Sequence, residues 1–264
     1  MYSLKLRCRP DEAEAVSFQL WDAGTVAISE SDEEHACVLT AGFENKGSRV
    51  SLLRQFAAYE PEWREDRTDW EAVARQSWPG RAVGKRLYLA PPWSEQPTPE
   101  GRLRLVQNPG QASGTGEHPC TQLALEALEK GIAGRCRVLD VGTGSGVLAI
   151  AALKLGAATA VGIDPDESAL QTARENFALN ELPSLVAAGT VDCIAGGWSE
   201  VTVANISATV LLSIADDLLR VTATGGMLIL TGFPPAEAGA IANFLPDAEI
   251  SYLGDWACLA ARLS

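Results

Sequence analysis

Apolar and polar residues alternate from Tyr2 to Cys8, the two-residue period of a half-buried strand. Pro10-Asp11 then opens a helix that runs through Phe18 to Trp21, and Gly24 leads into a strand at Thr25 to Ser29. A second cycle follows, with a strand at His35 to Thr40, a helix near Arg49 to Ala57 and a short strand around Glu62 to Arg64. Two β-α-β cycles of this size predict a small α+β, ferredoxin-like domain over residues 1–66. Asp69 to Trp78 has the spacing of one amphipathic helix, ended by Pro79-Gly80, so residues 67–79 are read as a helical linker.

The remaining residues, 80–264, read as a larger domain. Strands at Arg86 to Ala90 and Arg102 to Gln107 flank a proline-rich surface loop from Pro91 to Pro99. From Thr121 the rhythm lengthens. Helices at Thr121 to Lys130, Val147 to Leu155, Glu167 to Asn180 and Ala208 to Val221 are interleaved with strands at Arg137 to Val141, Thr159 to Ile163, Ser199 to Ala204 and Gly226 to Thr231. Two more strands are expected near Glu249 to Leu253 and Ala257 to Leu263. Apolar strands alternating with helices at this spacing predict a parallel sheet covered on both faces.

Composition narrows the picture without redirecting it. The 264 residues are 47% hydrophobic and 21% charged, enough to bury a core and unlike a disordered chain. The amino terminus has no apolar signal region and no apolar run approaches a membrane span, so a cytoplasmic protein is expected. The six cysteines never form a C-x-x-C pair, which fits reduced thiols and no metal site. Net charge is −13, from 12 basic and 17 acidic residues in 1–100 and 9 and 17 in 101–264. Such charge disfavours direct nucleic-acid binding and suits a basic protein partner, although it also serves plain solubility.

Arg137-Val138-Leu139-Asp140-Val141 runs straight into Gly142-Thr143-Gly144-Ser145-Gly146, and a helix follows. Glycines there let the backbone turn sharply and approach a ligand, while the helix start offers N–H donors. Asp164 lies 22 residues after Gly142, at the end of the next strand, where a carboxylate can accept ribose hydroxyls. A nicotinamide fingerprint starting at Gly142 would need glycine or alanine at 147, and that residue is Val147. An acidic residue just before a G-x-G-x-G turn, here Asp140, instead suits S-adenosylmethionine, with Gly142, Gly144 and Asp164 as candidate contacts.

Two further segments carry polar groups at strand and helix ends. Ser113 to Thr121 brings a hydroxyl, the carboxylate of Glu117 and one of the two histidines, His118, ahead of a helix. Thr121 can cap that helix, and His118 can be a hydrogen-bonded structural residue. Val203-Ala204-Asn205-Ile206-Ser207 ends a core strand at the edge where open α/β sheets bind ligands. Asn205 there either caps the next helix or contacts cofactor or substrate.

Three stretches in this order resemble the ribosomal protein L11 methyltransferase (PrmA) family: Gly114-Thr115-Gly116-Glu117-His118-Pro119-Cys120-Thr121, Leu139 to Ala157, and Val203-Ala204-Asn205-Ile206. Similarity reaches upstream to Asp69-Trp70 and Arg86 to Trp93, so residues 69–264 are covered. The resemblance implies a Rossmann-like, seven-stranded S-adenosylmethionine-dependent methyltransferase domain behind a small N-terminal recognition domain. It assigns cofactor contacts to Thr121, Gly142, Asp164 and Asn205, with no catalytic residue singled out. The implied reaction methylates lysine or N-terminal amines of a large-subunit ribosomal protein. Ser113 stands where the family has an aromatic residue, and Pro109-Gly110-Gln111-Ala112 replaces a more apolar approach. Those departures keep open another protein or a small molecule as acceptor, or a relative that binds cofactor without catalysis. Segment 113–121 is expected to cover the methionine end, with Asn205 orienting acceptor or cofactor, while residues 1–66 recruit the substrate.

Overall fold

The computed structural model describes residues 2–33, 36–43, 49–65, 80–108 and 118–264. The chain forms two compact units, 1–79 and 80–264. The helical linker expected at 67–79 lies outside the described residues, as does the segment 109–117.

In the first unit the order is β1 (Tyr2–Cys8), α1 (Ala13–Asp22), β2 (Ala27–Glu33), β3 (Ala36–Phe43), α2 (Arg49–Gln55) and β4 (Glu62–Glu65). The sheet runs β2-β3-β1-β4 with every neighbouring pair antiparallel, the split β-α-β arrangement of a ferredoxin-like sandwich. Alternation along β1 buries Leu4, Leu6 and Cys8 against Val16 and Leu20 of α1 and Leu52 of α2. Removal of such leucines from water stabilises the unit by about 2 kcal/mol each.

The second unit opens with a three-stranded sheet, β5 (Arg81–Val83), β6 (Leu87–Ala90) and β7 (Leu103–Val106). Between β6 and β7 the proline-rich loop is held by Arg104, which donates to the carbonyls of Gln96 (2.8 Å) and Ser94 (2.7 Å). Then come α3 (Pro119–Gly131), β8 (Arg137–Val141), α4 (Val147–Leu155), β9 (Thr159–Asp164), α5 (Glu167–Leu179), β10 (Val186–Ala188) and β11 (Ser199–Asn205). The chain finishes with α6 (Ala208–Ser213), α7 (Ala215–Val221), β12 (Thr222–Phe233), α8 (Ala238–Ala242), β13 (Glu249–Leu253) and β14 (Trp256–Arg262).

These strands form a seven-stranded sheet in the order β10-β9-β8-β11-β12-β14-β13. Pairing is parallel from β10 to β12, but β14 runs antiparallel to both its neighbours, so the sheet is mixed rather than wholly parallel. Helices cover both faces: α3 and α4 pack with Val138, Val203 and Ile229 on one, and α6, α7 and α8 with Leu139, Leu228 and Leu230 on the other. Successive residues of β8, Val138 and Leu139, thus enter opposite cores, as the pleat requires. The helix expected over Ala208 to Val221 is two helices, broken at Ile214. No helix among the described residues is long and apolar enough to cross a membrane.

Candidate functional site

Strand order reverses between β8 and β11, which sit side by side with Ala204 opposite Val141. Crevices at such switch points, at the carboxyl ends of the strands, are where open α/β sheets hold ligands. Both Gly142 and Asn205 leave their strands at that edge.

The turn 142–146 needs its glycines. Gly142, Gly144 and Gly146 have φ of +71°, +52° and +81°, a region that costs other residues strain. A Cβ on Gly142 would also lie 2.5 Å from Ile206 Cγ2, so the turn packs closely against the residue after Asn205. The backbone amides of Gly142 and Thr143 donate to Ile163 O at 2.9 and 3.0 Å, tying the turn to β9. Gly162 completes this fit, since a side chain there would collide with Thr143.

Two carboxylates bracket the turn. Asp164, 9% exposed, accepts from Gly144 N through Oδ2 and from Asp166 N through Oδ1, both at 2.9 Å. Each oxygen keeps lone-pair capacity for another donor. Asp140 is completely buried beneath the turn and accepts from Thr143 Oγ1 (2.7 Å) and Ala149 N (3.2 Å) through Oδ2. Its Oδ1 has no hydrogen-bond partner among the described residues. Burial, with the Asp164 carboxylate adding to it, outweighs those two donors and pushes Asp140 up to about 7.

At the other side of the crevice Asn205 Nδ2 donates to Thr121 Oγ1 at 3.1 Å. The capping alternative drops out for both residues. Helix α3 starts at Pro119 with His118 as its N-cap, so Thr121, 1% exposed, lies inside the first turn and does not cap it. Helix α6 is preceded by Ser207, and the Asn205 amide is directed to α3 instead of capping. His118 has its Nδ1 2.7 Å from Cys120 Sγ and its ring edge-on to Trp256, with centroids 4.4 Å apart. Burial holds the imidazole below its usual pKa, so it is neutral at pH 7. All six cysteines are free thiols. Ser113 and Glu117 lie outside the described residues.

The structure therefore gathers Thr121, Gly142, Gly144, Asp164 and Asn205 at one sheet edge, in two hydrogen-bonded groups joined where Ile206 packs on Gly142. Sequence reasoning missed Asn176, on α5. Its Nδ2 donates to Ser145 O (3.0 Å) and its Oδ1 accepts from Asn108 N (2.9 Å), so it ties the glycine turn to the end of β7. The available signal was its place one helical turn from Asn180, on the same stripe as Ala173 and Phe177 that packs inward.

A seven-stranded sheet with one antiparallel strand beside β12, helices on both faces and a glycine turn at the switch point define a Rossmann-like methyltransferase fold of the S-adenosylmethionine-dependent kind. The chain belongs to the ribosomal protein L11 methyltransferase (PrmA) family, whose sequence model matches residues 59–263. It is 43% identical over 197 residues to the ribosomal protein L11 methyltransferase of Geobacter metallireducens, a match covering 72% of this chain and 65% of that protein. With the protein of the same name from Geotalea uraniireducens it shares 37% identity over 214 residues, covering 74% and 68%. The crystal structure of the ribosomal protein L11 methylase from Lactobacillus delbrueckii subsp. bulgaricus aligns with a TM-score of 0.64 at 29% identity, over 71% of this chain and 99% of that one. Against the Geobacter metallireducens relative and that of Symbiobacterium thermophilum, the match spans 65% and 63% of the relative's length, less than two thirds.

Proposed function

We propose that this protein is an S-adenosylmethionine-dependent protein N-methyltransferase that modifies lysine or N-terminal amines of ribosomal protein L11. The observation that carries the reading is the family match over residues 59–263, which includes all five candidate site residues. The arrangement of those residues fits the cofactor. Asp164 offers two carboxylate oxygens with spare acceptor capacity for the ribose hydroxyls. Gly142 and Gly144 keep side chains away from the face of the turn, and the orphaned Oδ1 of Asp140 supplies negative potential beneath it. Thr121 and Asn205, joined to each other, bound the opposite side.

When bound, the cofactor supplies an already activated methyl group, so no covalent intermediate with the protein is required. The chain's own part is to hold an acceptor amine in line and exclude water. The amine must be uncharged, against a free-lysine pKa of about 10.4. Glu117 and His118 are candidates to receive that proton by their location alone, and burial disfavours the charged imidazole of His118. The acidic chain, −13 overall, suits a basic acceptor protein and makes direct nucleic-acid contact unfavourable. Residues 1–66 would recruit that acceptor, and the reaction would take place in the cytoplasm.

The test is calorimetry with S-adenosylmethionine followed by radiolabelled methyl transfer onto total ribosomal proteins. Label on L11, located by mass spectrometry on lysine or the N-terminal amine, is the expected result. Label confined to RNA or small molecules overturns the acceptor assignment. Binding without any labelled protein supports a relative that holds cofactor without transferase activity.

A further inference from the structure

Cys8 and Cys37 lie in the first unit, ahead of the residues that the family model matches, 59–263. Strands β1 and β3 pair antiparallel in a register that sets Cys8 directly opposite Cys37. Opposed residues direct their side chains to the same face of a sheet, here the buried face that carries Leu4, Leu6, Leu39 and Ala41. Their Cα atoms stand about 4.5 to 5.5 Å apart in such a pairing, within the span of a disulfide, about 4.4 to 6.8 Å. Joining the two sulfurs therefore needs no shift of the strands. Cys8 Sγ donates to Cys37 O at 3.7 Å, and Cys37 Sγ donates to Glu30 Oε1 at 3.2 Å. Glu30 is exposed on β2, the edge strand, so the inner thiol meets solvent through a carboxylate.

We propose that Cys8 and Cys37 form a reversible oxidation site, a thiol pair that hydrogen peroxide closes into a disulfide between β1 and β3, with Glu30 taking the first proton. The inference is independent of the cofactor reading above. The bond closes the segment 8–37, which contains α1 and β2, and so restricts the unfolded chain and stabilises the first unit.

Burial pushes both thiols up, Cys37 to about 12 with the Glu30 carboxylate adding to it, so attack on the oxidant needs the proton acceptor beside it. As the Cys37 proton passes to Glu30, its sulfur attacks one peroxide oxygen and the O–O bond breaks. Cys37 becomes a sulfenic acid, and the departing hydroxide takes the proton from Glu30 and leaves as water. Cys8 Sγ then attacks Cys37 Sγ, the S–O bond breaks, and hydroxide leaves with the Cys8 proton as a second water. Two thiols and one peroxide give one disulfide and two waters, and the sulfurs lose the two electrons that the peroxide gains.

The experiment exposes the whole folded protein to hydrogen peroxide, unfolds it in excess N-ethylmaleimide to block remaining thiols, and maps its peptides by mass spectrometry without reductant. The expected result is a peptide holding Cys8 joined to one holding Cys37, two hydrogens lighter than the pair and separated again by dithiothreitol. Oxidised protein should unfold at a higher urea concentration than reduced protein. That rise should vanish in Cys37→Ser, or in Cys8→Ala should the first variant fail to fold. Glu30→Gln keeps an acceptor oxygen but cannot take the proton, so link formation should slow by about tenfold or more. Cys8 and Cys37 still blocked as thiols once the exposed Cys193 has been oxidised overturn the inference. A link from either to another cysteine, or one that forms only when peroxide is added in urea, overturns it as well. An unchanged rate in Glu30→Gln overturns the part given to Glu30.

Discussion

Gly142 carries two constraints at once, a φ of +71° and a missing Cβ whose place is 2.5 Å from Ile206 Cγ2. Gly142→Ala should therefore destabilise the second unit by about 2 kcal/mol, read as a lower urea midpoint with an unchanged slope. Asp140 gives a pH signature of its own. Its folded pKa is raised from an ordinary carboxyl value near 4 to about 7, so the folded state holds this proton more tightly than the unfolded chain. The contribution is fully present below about pH 4 and is lost as pH rises through about 7, with a total on the order of a few kcal/mol. Denaturant melts at pH 5 and pH 8 should show that loss, and Asp140→Asn should reduce it. For Asn205, the amide donated to Thr121 Oγ1 at 3.1 Å is the feature to remove. Asn205→Ala should weaken S-adenosylmethionine binding by roughly tenfold, about 1.4 kcal/mol, and unchanged affinity together with unchanged turnover would end its assignment. At this scale the sequence revealed which residues meet at the edge but not their partners. Thr121 and Asn205 each had the chemistry of a helix cap, and only the adjacency of α3 and β11, 84 positions apart in the chain, turned them towards each other.

Between residue and domain, β7 shows how one element completes another. Its backbone finds side-chain amides from α5 in place of a further strand. Asn180 accepts from Val106 N at 2.9 Å and donates to Val106 O at 2.6 Å, and Asn176 does the same one turn earlier for Asn108 N at 2.9 Å and Asn108 O at 3.4 Å. Asn180→Leu would leave both groups of Val106 without those partners, at a cost of about 2 kcal/mol. Hydrogen exchange at the Val106 amide should accelerate, and an unchanged rate there would show that the pairing is not what protects it. Long elements with a single strong period were legible: α4 was expected at Val147 to Leu155 and is found at Val147–Leu155. Short ones were not. The strands β5 and β10 have three residues each, too few for any period to register. The break at Ile214 was hidden because apolar positions keep helical spacing across it, from Leu211 to Leu218.

For the molecule as a whole, the alternation of strands and helices predicted a parallel sheet, and the departure lies in its last hairpin. Leu253 pairs with Trp256 across Gly254-Asp255, with Gly254 at φ +55°, a two-residue turn of the kind that joins antiparallel strands. The Gly-Asp pair was visible, but its meaning depends on β14 inserting between β12 and β13, which no local pattern states. The same division bears on function. The five candidate cofactor residues all lie in unit 80–264, whereas the proposed selection of the acceptor falls to residues 1–66, a four-stranded sheet with its own core of Leu4, Leu6, Val16, Leu20 and Phe56. That core is built from residues of the first unit, and the core that carries the glycine turn from residues of the second. Deletion of residues 1–66 should thus leave S-adenosylmethionine affinity within about twofold while lowering methyl transfer to L11 by at least about tenfold, as expected for separable domains. Calorimetry and radiolabel incorporation on the same preparation read the two effects. Loss of both would make residues 1–66 part of the cofactor-binding fold, and retention of both would move acceptor recognition into residues 67–264.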